Sequence, residues 1–214
     1  MAELKSYACK KFILRINHEI AAGEYMHDSA LKTALQSQKI TPEGKRAIGI
    51  DQSVELTMFD VTILAYTVLP EMRFIYLSTL LEAFFEEYIS ERESISPEQV
   101  KTAISSEISE WDKNGGGSKS FYNLPFVFFV LSRKYSIDPT NSLNSITLES
   151  GILRNCIVHD SGKIKSQYYV NQLINTITFL GVKSAVGEIL RVNKKLMALY
   201  IEEYRKIITL LDYA

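Results

Sequence analysis

Cysteine is nearly absent from this 214-residue chain: Cys9 and Cys156 are the whole complement, and they lie far apart. Two thiols cannot build the disulfide framework of a small secreted domain, so the chain reads as the product of a reducing compartment. Glycine and proline are scarce as well, at 10 and 5 residues, which argues against loop-rich designs and for long regular elements. Histidine occurs only at positions 18, 27 and 159. His18-Glu19 opens a zinc-protease pattern, but Ala22 stands where the second ligand belongs, so the sequence supports no metal site and no cofactor. An excess of either charge is missing too. Lys+Arg 24 against Asp+Glu 25 leaves a net charge of −1, which excludes a bulk basic field for nucleic acid; any such contact has to come from a local patch. The longest charge-free stretch, residues 166–182, contains Asn171, Gln172, Asn175, Thr176 and Thr178 and is too polar to span a bilayer. The first residues soon reach Lys5, Lys10 and Lys11, with no apolar signal core. The expectation is a soluble cytoplasmic protein that does not enter a membrane.

What is present is apolar sequence at helical spacing. Hydrophobic residues make up 46% and charged residues 23%, which excludes disorder for the whole chain. Leu4, Tyr7, Ala8, Phe12 and Ile16 predict a helix over 3–21, and Asp28-Ser29 reads as a fresh cap for a short helix over 30–38. Asp51 can cap a helix over 52–69, which Pro70 should kink or break. A helix over 72–90 presents Phe74, Leu77, Leu81, Phe84, Phe85 and Tyr88 on one face. Ser96-Pro97-Glu98-Gln99 has the residue types of a capping box and predicts a helix to about 111. Gly115-Gly116-Gly117-Ser118 reads as a flexible loop. Further helices are expected over 142–159 and 165–174, and a last one from Asn193 to about 211; the short apolar run 126–135 fits helix or strand and reads as helix because its neighbours are helical. Residues 177–180 and 188–192, short and apolar with glycine nearby, read as a small C-terminal β-hairpin. The expected class is mainly α, a helical bundle, with residues 1–70 as an N-terminal helical extension packed on a domain of 71–214, or the whole as one continuous domain.

Charge is unevenly spread along the chain. Residues 71–112 carry ten acidic and three basic side chains, and residues 151–206 carry nine basic and four acidic ones. The second region is the better candidate for a phosphate-facing surface, although solvated faces give the same pattern. Two motifs fail. Gly115 to Ser120 lacks the glycine that must precede the lysine of a phosphate loop, and an acidic helix rather than a strand leads into it. Glu82, Glu86 and Glu87 sit near four-residue spacing and read first as a solvated face.

The most informative stretch is Gly151-Ile152-Leu153-Arg154-Asn155-Cys156-Ile157-Val158-His159-Asp160-Ser161-Gly162. An arginine, an amide and a histidine fall in the last turns of an apolar helix, where polar groups need partners. At about 100° per residue, Asn155 and His159 share a face one turn apart, whereas Arg154 points roughly 140° from His159. The two meet at one phosphate only if the arginine reaches around, the helix end distorts, or a second copy of the chain supplies the other half. Cys156, inside the helix, reads as packing.

Arg154-Asn155-Cys156-Ile157-Val158-His159 resembles the arginine–polar–spacer–histidine signature of HEPN domains, helical bundles found in prokaryotic toxin–antitoxin, abortive-infection and CRISPR-associated ribonucleases. Leu153, the Ile157-Val158 pair and Gly162 are also similar, as is the upstream helix over 76–85 with its acidic Glu82. The resemblance covers about residues 72–174 and implies RNA cleavage without a metal. The ribose 2′-hydroxyl attacks the adjacent phosphorus and leaves a cyclic phosphate and a 5′-hydroxyl. It implies His159 as general base or acid, since an imidazole titrates near pH ~6.5. It implies Arg154 as the fork that stabilises charge on the phosphoryl oxygens, and Asn155 as the group that orients His159 or the phosphate. Glu82 would position Arg154, and Lys163 and Lys165 would hold flanking phosphates. The implied partners are RNA, a second copy across a two-fold axis, and an antitoxin or other defence-system protein. Three alternatives stay open: a HEPN-like module that dimerises or binds a partner without cleaving, an unrelated helical protein, and a purely structural role in which Arg154 pairs with a carboxylate while His159 ends a helix, where a cation is favoured.

Overall fold

The first long helix starts where two distant carboxylates meet the chain. Asp212 accepts hydrogen bonds from the Lys5 and Ser6 amides, and Glu91 accepts from the Tyr7 and Ala8 amides. The Ser6 hydroxyl takes the Cys9 amide. Four of the donors that a helix N-terminus leaves open are thereby satisfied, and α1 (Tyr7–Gln36) follows. The computed structural model describes residues 4–36 and 64–213. Within it α1 passes through Asp28 and Ser29 without a break, so residues 30–36 of the expected separate helix continue the first, and its last two residues lie outside the described ones. The reason is tertiary. Ala8, Cys9, Phe12 and Ile16 are buried along one face. Farther on, the Arg73 side chain lies so close to Gly23 that a Cβ there would stand 2.1 Å from its guanidinium carbon. Arg73 Nε reaches Glu19 at 2.5 Å, and this docking outweighs a local cap signal.

The expected helix over 52–69 falls largely outside the described residues. Its end is a π-helical turn, Leu64–Val68, that runs straight into α2 (Leu69–Glu93). Pro70 lies in the first turn of α2, directly after the π-helical turn, so the helix changes type there rather than breaking. The buried side of α2 holds Phe74, Leu77, Leu81, Phe84, Phe85 and Tyr88, as expected. Phe84 meets Phe12 of α1 at 4.9 Å between ring centres, and Phe74 meets Tyr200 at 4.9 Å. Side chains of α1 thus belong to the same buried cluster as those of α2 and of the last helix.

The Ser96–Gln99 start signal is used as read: the Ser96 amide donates to Gln99 Oε1 at 3.0 Å, and a 3-10 turn over Pro97–Gln99 opens α3 (Val100–Ala103). The fully buried Ile104, at φ −110°, then offsets the chain before α4 (Ser105–Lys113), so the expected single helix is two. α5 (Leu124–Tyr135) is the apolar run that carries Phe126, Val127 and Val130 inward. α6 (Ser145–Leu148) and α7 (Ser150–Asp160) divide the expected helix over 142–159. α8 (Gln167–Gln172) and α9 (Ile174–Leu180) follow, and α10 (Lys194–Tyr213) closes the bundle, with the Leu196 amide donating to Asn193 Oδ1 at 2.9 Å. The protein is mainly α, a helical bundle.

The expected hairpin is not formed. Residues 177–180 belong to helix α9, because the Glu149 carboxylate accepts from the Asn175 amide at 3.0 Å and the Thr176 amide at 2.8 Å, satisfying its first turn. The other half of the expected hairpin pairs instead with the exit of α7. Lys163 and Ile189 form an isolated antiparallel bridge, flanked by Ile164 N to Glu188 O at 2.9 Å and Leu190 N to Gly162 O at 2.8 Å.

Candidate functional site

Helix α7 carries the residues singled out from sequence, and its seating decides where they go. Leu153, Cys156 and Ile157 are buried on its inner side, Arg154 and Asn155 are half-buried, and Val158 and His159 are exposed. Gly151 lets the helix approach the preceding loop closely: a Cβ there would lie 2.9 Å from the Tyr122 carbonyl oxygen and 3.2 Å from the Asn123 Cα. That approach brings the Tyr122 ring under Arg154. The guanidinium carbon rests 4.3 Å from the ring centre, a cation–π contact.

Arg154 joins no ion pair among the described residues, so the carboxylate pairing open at the sequence level is not the one it makes. Its Nε is buried and has no hydrogen-bond partner, and neither has Asn155 Oδ1. The Ser150, Thr176 and Tyr204 hydroxyls are in the same condition. They are rotatable, however, and each has another hydroxyl at hand: Tyr204 is influenced by the Ser150 and Ser78 hydroxyls, and Tyr200 by that of Thr176. The guanidinium and amide groups are the two whose valence is left over. Tyr122 links them. Burial pushes its phenol up, but polar contact with Ser120, Ser118 and Asn155 and the charge of Arg154 leave it below its ordinary value. Glu82 is within reach of the same field. Burial raises its carboxyl, Arg154 works against the rise, and Glu86 adds to it. Burial raises the Cys156 thiol to about 11, which keeps it protonated and inert.

His159 sits in the last turn of α7. The helix ends on Ser161 at φ 52° and Gly162 at φ 81°, both left-handed. Gly162 is required twice over, for its φ and because a Cβ would stand 2.3 Å from the Leu190 carbonyl oxygen. Lys163 is exposed, while Lys165 is ion-paired with Asp160 and held above its ordinary pKa by that contact. The structure therefore gathers Arg154, Asn155 and the field of Glu82, places His159 one turn farther out on the surface, and commits Lys165 to a neighbour.

A pocket of about 560 Å³ opens beside Asn155. Its walls include Trp111, Tyr122, Phe129 and Tyr168, the amides of Asn123 and Gln172, and the glycine loop 115–117. That loop, expected to be flexible, is folded onto Trp111. The Gly116 amide bonds the Trp111 carbonyl at 2.9 Å, Trp111 Nε1 bonds the Gly117 carbonyl at 3.1 Å, and a Cβ on Gly116 would lie 2.3 Å from the indole. Sequence reasoning missed Tyr122, Trp111 and Tyr168 as site residues. The only available signal was a glycine triplet following a lone tryptophan.

Among the described residues no group of three His, Cys, Asp or Glu side chains is placed to hold a metal ion, and no helix is long and apolar enough to cross a membrane. Comparison of the chain with protein-family models, with curated proteins and with solved structures gave no match.

Proposed function

We propose that the protein is a HEPN-like, metal-independent endoribonuclease, acting in the cytoplasm as a homodimeric toxin or phage-defence effector under the control of an antitoxin or another partner protein. The observation that carries this reading is the leftover valence on α7. Arg154 Nε and Asn155 Oδ1 are buried without partners, one turn before an exposed histidine. A buried polar atom left unmade costs about 1–3 kcal/mol; a bound phosphodiester oxygen would relieve that cost at the Arg154 Nε–H, whereas Asn155 Oδ1, an acceptor, needs a donor from the ligand or the imidazole.

In this reading Arg154 meets the phosphoryl oxygens and stabilises the charge they gain as the 2′-oxygen attacks phosphorus. One His159 takes the 2′-hydroxyl proton, and the partner subunit's His159 donates a proton to the departing 5′-oxygen. The O–P bond to the 5′-oxygen breaks as the 2′-O–P bond forms, so the products are a 2′,3′-cyclic phosphate and a 5′-hydroxyl. The roughly 140° between Arg154 and His159 on an ideal helix suits a site composed from two copies. Asn155 holds the phosphate or the imidazole through an N–H of its amide, which leaves Oδ1 free for another donor, Lys163 meets a flanking phosphate, and Glu82 sets the position of Arg154. A second reading, a HEPN-like module that binds a partner without cleaving, draws on the contact of Arg154 with Tyr122 and the engagement of Lys165 by Asp160.

The test is cleavage of several RNAs by purified protein in EDTA, with analysis of product ends and of oligomeric state. Expected are cyclic phosphate ends from a dimer, with the rate falling about 10²–10⁴-fold in His159→Ala. A folded dimer that cuts nothing would favour the second reading, and cutting unchanged in the variant would remove His159 from the mechanism.

A further inference from the structure

The pocket beside Asn155 has walls of one chemical kind. None of the residues lining it carries a charge at neutral pH; they are aromatic rings, amides, a hydroxyl, apolar side chains and glycine backbone. Such a lining is wrong for a phosphate, a metal ion or a peptide carboxylate. Rings for stacking and amides for in-plane hydrogen bonds are what a neutral heteroaromatic plane needs. We propose that this pocket is a subsite for one unpaired nucleobase of single-stranded RNA, stacked on Tyr168 and read at its edge by Asn155 and Gln172. The proposal rests on the RNA-directed reading of α7 and names the form of RNA that it takes.

Three observations support it besides the lining. Asn155 Oδ1 is buried and unpartnered, and an asparagine offers an acceptor and two donors in one plane, the pattern that pairs with a base edge. Tyr168 is 62% exposed on α8, a ring with open surface at the pocket wall. Finally, Tyr122 belongs to two places at once: it lines the pocket and it carries the Arg154 guanidinium on its ring. A base in the pocket therefore leaves its own phosphodiester beside Arg154, so base recognition and phosphate recognition fall on one nucleotide. The glycine loop contributes shape, because only residues without Cβ can lie against the indole as Gly116 does. A base still stacked in a duplex cannot enter such a pocket, which makes the predicted substrate unpaired.

Trp111 is the only tryptophan in the chain and lines the pocket, so intrinsic fluorescence reads occupancy directly. The experiment titrates the full-length His159→Ala protein, chosen so that nothing is consumed, with ten-nucleotide oligo-A, oligo-C, oligo-G and oligo-U, a ten-base-pair RNA duplex, and the four nucleoside 5′-monophosphates. Expected is saturable quenching by at least one single-stranded oligonucleotide and none by the duplex. Adding Tyr168→Ala should weaken apparent affinity about fivefold or more, the loss of one base–aromatic stack, and Tyr168→Phe should restore it. Circular dichroism of both double variants checks that they fold. Absence of quenching by every oligonucleotide, an unchanged affinity in Tyr168→Ala, or monophosphates binding as tightly as oligonucleotides would each overturn the proposal; the last would mark a free-nucleotide site. The titration needs no turnover. A wild-type protein that cuts nothing while its His159→Ala form still shows the Tyr168-dependent quench loses the nuclease reading and keeps the pocket; a protein that cuts without the quench does the reverse.

Discussion

The two sides of the bundle treat their polar groups in opposite ways. Where α1, α2 and α10 meet, carboxylates, two buried (Asp212 and Glu203) and one exposed (Glu91), cap the backbones of distant segments. Asp212 takes the Lys5 and Ser6 amides, Glu91 takes those of Tyr7 and Ala8, and Glu203 takes that of Asn144 at 2.7 Å. The aromatic cluster of Phe12, Phe84, Phe85 and Tyr88 fills the space between the helices. Around α7 the accounts stay open: an arginine rests on a ring with its Nε unmade, an amide oxygen is unmade, and an uncharged pocket lies alongside. The contrast separates groups that hold the fold from groups held ready by it. A buried polar atom with every bond made stabilises, whereas one with a bond missing costs stability until a partner is supplied.

The sharpest way to break this contrast is in the closed region. Phe84→Ala, at a 1% exposed site, should lower unfolding free energy by about 3–5 kcal/mol in urea titrations. A smaller effect is expected at Glu149, whose carboxylate takes the Asn175 and Thr176 amides. Glu149→Ala should cost about 1–3 kcal/mol by the same measurement while, on the nuclease reading, RNA cleavage per folded molecule persists; a neutral result would mean that the start of α9 does not need its cap.

Glu91 gives a pH-dependent case. Burial pushes its carboxyl up, but the Ala8 and Tyr7 amides and the Ser6 hydroxyl more than offset this, and the net shift is downward. A carboxylate with a folded value below its unfolded one, about 4.3, contributes fully above that pH, and the contribution is lost as pH falls through the folded value. Stability of the wild type should therefore drop toward Glu91→Gln as pH is lowered from 6 to 3, with the gap between them closing; a constant gap would show that the charge is not what matters. The smallest effect on stability belongs to the open region. Asn155→Ala removes an oxygen that accepts no hydrogen bond and one polar contact with Tyr122, so thermal or urea unfolding should move by only about 1 kcal/mol, while on the nuclease reading RNA binding and cleavage fall. A large loss of stability there would place Asn155 with the closed region instead.

How much of this was legible in the sequence depended on how local the cause was. The capping box at Ser96–Gln99, the buried face of α2 and the Asn193 cap were readable because each is decided within a few residues. The continuity of α1 through Asp28 was not, because Arg73 docking against Gly23 and Glu19 outweighs the cap signal. The hairpin reading of 177–180 failed for the same reason, since the carboxylate that starts α9 is Glu149, on the far side of α7. At the site, the polar pair Arg154 and Asn155 stood out as an anomaly in an apolar helix. Their neighbour Tyr122 did not, because it arrives through a close approach at Gly151 that no spacing encodes. The glycine triplet was read for flexibility, whereas in the fold its missing side chains serve contact with Trp111.

The clasp between residues 162–164 and 187–190 gives the histidine turn a lifetime as well as a shape. The amides of Ile164, Gly187 and Leu190 all donate across it, to Glu188, Ile164 and Gly162 in turn. Each lies outside a helix, where amide protons ordinarily trade with solvent quickly, yet each is released only when the clasp opens. In hydrogen exchange these three should behave as helix interior rather than as loop, and their common protection reports how rarely the clasp opens and frees the end of α7.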